Sequence, residues 1–531
     1  MNVSNAAQAA APAAADVLSM QHITKIYGNG FMANKDICFS VRKGEIHGLV
    51  GENGAGKSTL MKVLFGQEVP EQGRIFLEGK EIHIPNPLVA LDYGIGMVHQ
   101  HFMLVPSLTV AENMVLGAEP QKSRILFDYK KAVRLTREVA EKYNLPINPD
   151  KRVIDLPVGY KQRVEILKIL LRGCRILLLD EPTAVLTPQE TIELFAQLKN
   201  LKKEGFTIIF ISHKLNEIKE ICDRITVLRD GQVVGTADID DVTERDISRM
   251  MVGRDVMMNI DRGAPAPRES ILSVRDLGFT NMYGKKVLRD VSFDLRCGEI
   301  VGIAGVEGNG QSELAAILTG LSRQQEGTVR INGKDASKMS IRKVREEQVS
   351  FISEDRMVYD LVREGTIEEN LVSDRFYKKE YKKGLLMDRK KMDREAEELI
   401  EGYLVACDGK DAYMRTLSGG NMQKVITARE CSSSPRLLIA SQPTRGIDVG
   451  ATEFIRKRLV ELRSQGAAIL LFSADLAEIM QVSDRILVFH GGRIVAHIPR
   501  TEEIDETILG EYMLGIRNQS EEEIGGAVFE R

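Results

Sequence analysis

Residues 46–66 read IHGLVGENGAGKSTLMKVLFG. An apolar strand pattern runs into GENGAGKST (51–59), and a helical pattern follows at once. Strand, GxxxxGK[ST] loop and helix, in that order, form the context a phosphate-binding loop requires. Glycines 51, 54 and 56 allow the backbone N–H groups of Gly51, Glu52, Asn53, Gly54, Ala55, Gly56 and the residues up to Thr59 to turn inward around a β-phosphate. The helix N-terminus adds its dipole there, Lys57 reaches β/γ oxygens, and Ser58 offers a hydroxyl to Mg²⁺.

Outward from this loop the chain repeats itself. FSVRKGEIHGLVGENGAGKSTL (39–60) matches FDLRCGEIVGIAGVEGNGQSEL (293–314), and ICDRITVLRDGQVVG (221–235) matches VSDRILVFHGGRIVA (482–496). Two homologous halves are expected, a first domain at 17–252 and a second at 271–516. The stretch 253–270, GRDVMMNIDRGAPAPRES, has the Pro/Gly punctuation of a linker. Residues 1–16 read as a disordered tail rather than a signal peptide, because they lack a basic start and a leucine-rich core. Residues 517–531 read as a polar, acidic tail that frays. Buried-looking strands such as RILLLD and FTIIFIS alternate with helical patterns, which predicts an α/β fold with a mostly parallel sheet. YKKEYKKGLLMDRKKMDREAEELI (377–400) reads as a solvated helix; a membrane-facing basic patch is the alternative.

Bulk composition narrows the function classes. The 531 residues are 43% hydrophobic and 28% charged, as in globular proteins, and two or more domains are expected at this length. No apolar run spans a bilayer, so any membrane role is expected to come through a partner. A net charge of −4 argues against general affinity for nucleic acid or anionic lipid. The six cysteines are scattered without metal-ligand spacing, which suggests free thiols in a reducing compartment.

A second chemical cluster lies downstream. RILLLDEPTAVLTPQE (175–190) ends an apolar strand in Asp180 and Glu181. Asp180 would hold Mg²⁺ through its water shell and Glu181 would polarise an attacking water. An Asp-Glu pair alone also serves as a helix cap; beside an intact phosphate loop the catalytic reading is preferred. His213 follows IIFIS directly, at the C-terminal end of a strand, where α/β sheets place ligands. A lone histidine there is more often structural, and it gains a functional reading only from its neighbours.

At this point the chain resembles the ATP-binding cassette ATPases over nearly its whole length. LSGGNMQK (417–424) looks like the family signature. The resemblance implies two cassettes, each a mixed sheet with flanking helices and a helical subdomain, paired head-to-tail with ATP between one phosphate loop and the other signature. It implies that Ser418, Gly419 and Gly420 present N–H and hydroxyl groups to a γ-phosphate, and that Tyr27 stacks on adenine. Gln100 resembles the Q-loop residue and Mg²⁺ ligand, Asp448 the D-loop residue and His213 the switch histidine.

Placed side by side, the halves differ in a patterned way. The first has Lys57, Asp180, Glu181 and His213, but its signature position reads LPVGYKQR (156–163), with Pro157 and Val158 opposite Ser418 and Gly419, and Thr187 opposite Asp448. The second keeps the signature, but Gln311, Ser441, Gln442, Ala474 and Asn281 stand opposite Lys57, Asp180, Glu181, His213 and Tyr27. Head-to-tail pairing would send every intact part to one composite site and every defective part to the other. Each lost charge-assisted contact is worth about 1.5–3 kcal/mol, so the second site is expected to bind nucleotide weakly or not at all.

Two cassettes in one chain, with PTRGIDVGA and LSGGN in the second, resemble the ATP-binding subunits of simple-sugar importers. HQHFMLVPSLTVAENMVLG (99–117) and the carboxylate-free ASQPTRGIDVG (440–450) most resemble the branch linked to nucleoside uptake. That resemblance implies two membrane-spanning permease subunits, an extracytoplasmic solute-binding lipoprotein and a peripheral place on the cytoplasmic face of the membrane. The permeases are expected to dock near Gln100 and near Glu354. A monosaccharide importer is the alternative; more remote are a soluble tandem-cassette ATPase acting on ribosomes or nucleic acid and a non-catalytic scaffold.

Overall fold

The computed structural model describes residues 16–28, 30–99, 102–122, 126–183, 186, 188–212, 214–253, 260–384, 386–501 and 504–528. The chain divides into two compact units, Met1–Val256 and Met257–Arg531. Gln100, Thr187 and His213, residues 1–15 of the expected N-terminal tail and residues 254–259 of the expected linker lie outside the described residues.

In the first unit a six-stranded sheet carries the strands in the order Gln232–Asp238, Arg224–Arg229, Ile46–Gly51, Thr207–Ile211, Ile176–Asp180, Ile95–Val98. All neighbours are parallel except the first pair, which is an antiparallel edge hairpin. The strands Ile46–Gly51, Ile176–Asp180 and Thr207–Ile211 are buried at every position. Such two-sided burial explains why ILLLD and TIIFI are continuous apolar runs rather than alternating ones. A four-stranded antiparallel sheet, Met32–Arg42, Asp16–Ile26, Gln72–Leu77, Lys80–Ile82, packs through Leu18, Met20, Ile37 and Phe39 onto Leu49, Leu60 and Leu178. The helices Val110–Val115, Tyr129–Lys142 and Val158–Leu171 form a separate helical region, with Ala111, Val115 and Ala132 at its centre.

The second unit repeats this plan. Its six-stranded sheet runs Val349–Ile352, Leu437–Ser441, Ala468–Phe472, Ile300–Gly305, Arg485–His490, Arg493–Ile498, and its four-stranded sheet is built on Ser270–Thr280. The helical region comprises Ile367–Val372, Arg389–Gly402 and Gly419–Ser432.

Three segments differ from the sequence reading. The helix expected over 377–400 begins only at Arg389; before it, Lys382–Lys383 pairs with Leu386–Met387 around Gly384, whose φ of +68° no helix accepts. Residues 260–268, expected as linker, are tied to the second unit: Arg463 donates to the Arg262 carbonyl at 2.6 Å and Arg268 N–H to the Cys297 carbonyl at 2.8 Å. The end of the chain, expected to fray, forms the helix Glu521–Gly525 with a Ser520/Glu523 capping box, and Ala527 is fully buried while its carbonyl accepts from Asp294 N–H at 2.9 Å.

Candidate functional site

The phosphate loop of the first unit is held by close backbone approaches. A Cβ on Gly51 would stand 2.4 Å from the Leu228 carbonyl oxygen, and one on Gly56 would stand 2.4 Å from that of Ala33. Gly56 also has φ +95°, so glycine is required there twice over. Asn34, fully buried, donates its side-chain amide to the Gly56 carbonyl at 3.0 Å and fixes the exit of the loop. Lys57 opens the helix Lys57–Leu64 and donates Nζ to the carbonyls of Gly51, 2.7 Å, and Glu52, 2.9 Å. Its ammonium therefore sits inside the loop's curl. Burial lowers its pKa, while Glu181, Asp180 and Glu52 act to raise it.

Asp180 closes the strand Ile176–Asp180, and its Oδ1 accepts from Ser58 Oγ at 3.4 Å. Burial raises the Asp180 pKa; the Ser58 bond and Lys57 oppose that shift, and Glu181 adds to it. The next residue, Glu181, has a left-handed backbone at φ 48° and donates its N–H to the Ile211 carbonyl at 3.0 Å. Lys57, Ser58, Asp180 and Glu181 thus gather at the C-terminal edge of the parallel strands. Tyr27 lies beside the loop, its hydroxyl 3.4 Å from Thr59 Oγ1. Ser58 and Asp180 supply one hydroxyl and one buried carboxylate whose charge a cation would relieve. That donor set fits Mg²⁺ held largely by phosphate and water; among the described residues no three-ligand cluster exists.

The signature motif has its geometry in the second unit. Ser418 is the N-cap of the helix Gly419–Ser432, and its Oγ accepts from Asn421 N–H at 3.4 Å. At Gly420 a Cβ would stand 2.5 Å from Asp448 Oδ2, so a side chain there must displace that carboxylate, and Asp448 in turn caps the helix Val449–Ser464. In the first unit Pro157 occupies the cap position without a side-chain bond. There the N–H of Gly159 is taken by the Glu190 carboxylate at 3.2 Å, which places negative charge where an anion would bind.

The second unit's own loop keeps its shape and loses its chemistry. Gly310, at φ +103°, caps a helix that starts at Gln311, whose amide reaches the Val306 carbonyl at 3.4 Å. Ser441 ends the strand where Asp180 ends its counterpart. Gln442 Oε1 accepts from Ala474 N–H at 3.1 Å.

Sequence reasoning missed Asn34 and a buried carboxylate beneath the Pro-Thr turn. Thr183 Oγ1 donates to Glu217 at 2.7 Å, and Thr444 Oγ1 to Glu478 at 2.8 Å. The signal was present in the repeat, since the Thr/Glu pair recurs at one spacing in both halves while Asp180 and Glu181 beside it change to Ser441 and Gln442.

The family model for ABC transporters matches residues 34–184 and 288–445. The chain is similar to the nucleoside import ATP-binding protein NupA of Lactococcus lactis, 45% identical over 94% of this chain and 98% of that protein. It is also similar to the guanosine import ATP-binding protein NupO of Bacillus subtilis, 46% identical over 94% and 97%. A glucose import ATP-binding protein of Haloferax volcanii is 43% identical over 94% and 96%. One matched segment falls within each of the two units and the relatives are spanned almost end to end; the chain belongs to the ABC transporter family and is a tandem-cassette ATPase.

Proposed function

We propose that this chain is the energy-coupling subunit of a nucleoside importer and hydrolyses ATP at one composite site. Lys57, Ser58, Asp180 and Glu181 of the first unit act there with Ser418, Gly419 and Gly420 of the second. The observation that carries this reading is the segregation of parts: the unit with Asp180 and Glu181 has a proline-capped, Glu190-blocked signature helix, and the unit with the open signature has Ser441 and Gln442 in their place.

Lys57 neutralises β/γ oxygens once nucleotide replaces the loop carbonyls it now contacts, and Glu181 orients the attacking water and accepts its proton. The proposal includes Gln100, His213 and Asp448 as further site residues and Tyr27 as the adenine platform. Mg²⁺ bound by Ser58 and Gln100 and, through water, by Asp180 would supply charge neutralisation on the phosphates. ATP contacts both units only when they close together, so binding favours closure by that difference in affinity, and hydrolysis releases it.

No helix among the described residues is long and apolar enough to cross a membrane. Two permease subunits and a solute-binding lipoprotein are proposed to complete the transporter, with this chain on the cytoplasmic face. The nucleoside cargo rests on the names of the relatives at 45% and 46% identity; the relative at 43% keeps a monosaccharide as the second reading. In the reconstituted transporter, nucleoside-loaded binding protein is expected to stimulate ATP hydrolysis. Stimulation by glucose, ribose or galactose and not by any nucleoside would reassign the cargo.

A further inference from the structure

The second unit has lost the charges that bind nucleotide, yet its pocket is not short of charge. Arg445 stands three residues after Gln442, and its Nη1 donates to Glu354 Oε1 at 2.6 Å. The other Glu354 oxygen accepts from Ser312 Oγ at 3.0 Å, on the first turn of the helix that a phosphate would cap. Glu307, within the degenerate loop itself, lies 3.9 Å from Arg445 Nη2. The first unit has Asn53, Gln100 and Ala184 at the positions of Glu307, Glu354 and Arg445. An ion-pair cluster therefore links the loop, the Q-loop position and the Pro-Thr turn, and it brings two carboxylates to the degenerate phosphate loop.

The cluster does not end there. The Arg445 carbonyl accepts from Arg356 Nη2 at 3.1 Å, and Arg356 Nη1 donates to the Gly419 carbonyl at 3.2 Å. One guanidinium thus joins the Pro-Thr turn to the first helical residue of the signature. Phe102 occupies the Arg356 position in the first unit and offers no such bridge. The two carbonyls are reached from two different nitrogens of one rigid planar fork, which the single ammonium of a lysine does not reproduce.

We propose that Arg356 and Arg445 are positioning residues for ATP hydrolysis: the chain Ser312–Glu354–Arg445–Arg356–Gly419 takes the place of bound nucleotide in the second unit and holds the signature turn in its working position. The inference rests on the composite-site reading given above. A phosphate loop emptied of its ligand would leave the adjoining turns unsupported, and here the unit's own side chains support them.

The test uses the purified full-length chain. Arg356→Ala and Arg445→Ala are each expected to lower kcat about ten-fold, as for loss of one charge-assisted contact. ADP affinity at the first unit should stay within about two-fold, since Lys57 and its loop are untouched. Glu354→Ala combined with Arg445→Ala should cost no more than either change alone, as expected for groups acting through one chain. The exchange of Glu354→Arg with Arg445→Glu should recover most of the activity. Arg356→Lys keeps the charge without the fork and should remain folded but slow, which serves if Arg356→Ala does not fold. Full kcat in Arg356→Lys and Arg445→Ala, with Ser418→Arg inactive, would overturn this inference and leave the composite site standing. Normal hydrolysis in Ser418→Arg would overturn both.

Discussion

Glu181 and Gln442 share one backbone conformation, φ 48° and 50°, and each donates its N–H across to the neighbouring strand, to the Ile211 carbonyl at 3.0 Å and the Phe472 carbonyl at 2.7 Å. A left-handed conformation is disfavoured for both side chains, at a cost on the order of 1 kcal/mol. The second unit retains this strained turn although its carboxylate is gone. The turn therefore serves the architecture of the strand end, whichever side chain it carries.

Glu181→Gln should abolish steady-state ATP hydrolysis while leaving ATP binding intact, because it removes the proposed water-orienting base and keeps the shape. Gln442→Glu should not raise turnover, since Gln311 and Ser441 still stand where Lys57 and Asp180 stand in the first unit. Phosphate release by each purified variant checks both, and residual turnover above background in Glu181→Gln would argue for a second working site.

Ser418→Arg and Gly420→Asp should each reduce hydrolysis at least a hundred-fold without unfolding the second unit. The first replaces a capping hydroxyl, and the second drives a side chain into Asp448, 2.5 Å from where its Cβ must lie. Loss of the N-cap itself costs only about 1 kcal/mol. Circular dichroism beside the ATPase assay separates the two effects.

Equilibrium titration with ATP should give one nucleotide per chain. Lys57→Gln should remove that binding by at least ten-fold in affinity, about 1.5–3 kcal/mol for the lost charge-assisted contacts. A titration reaching two per chain would mean that the Arg445–Glu354 cluster opens to admit phosphate.

Asp360 gives a pH signature near the signature helix. Burial pushes its carboxyl up to about 6, against the Arg429 guanidinium and the Ser353 N–H, which lower it. The folded state therefore binds more protons than the unfolded state between about pH 4 and 6. Its contribution to stability is greatest below that window and is lost as pH rises through it, by roughly 3 kcal/mol at most. Urea unfolding across this range should show Asp360→Asn free of that loss. Parallel pH profiles for the two proteins would contradict it.

Both halves, their order and the strand edge that gathers Lys57, Ser58, Asp180 and Glu181 were legible because these residues sit in motifs of fixed spacing that recur in the chain. The Lys382–Met387 hairpin was not, since a lysine-rich stretch carries no period to separate strand from helix and only Gly384 marks the turn. Asn34, Glu217 and the Arg445–Arg356 chain were hidden for another reason. Their partners lie far away in sequence, and a hydrogen bond from Arg356 to the Gly419 carbonyl leaves no trace in local pattern. Glu190 at the first unit's signature helix is of the same kind.

The head-to-tail assembly is tested most directly by cross-linking Asn53→Cys to Ser418→Cys in full-length Glu181→Gln protein, with the native thiols replaced. Addition of Mg-ATP should bring the phosphate loop of the first unit against the signature of the second, and a disulfide should form that is absent without nucleotide. No ATP-dependent link, in protein that still binds ATP, would contradict the single composite site.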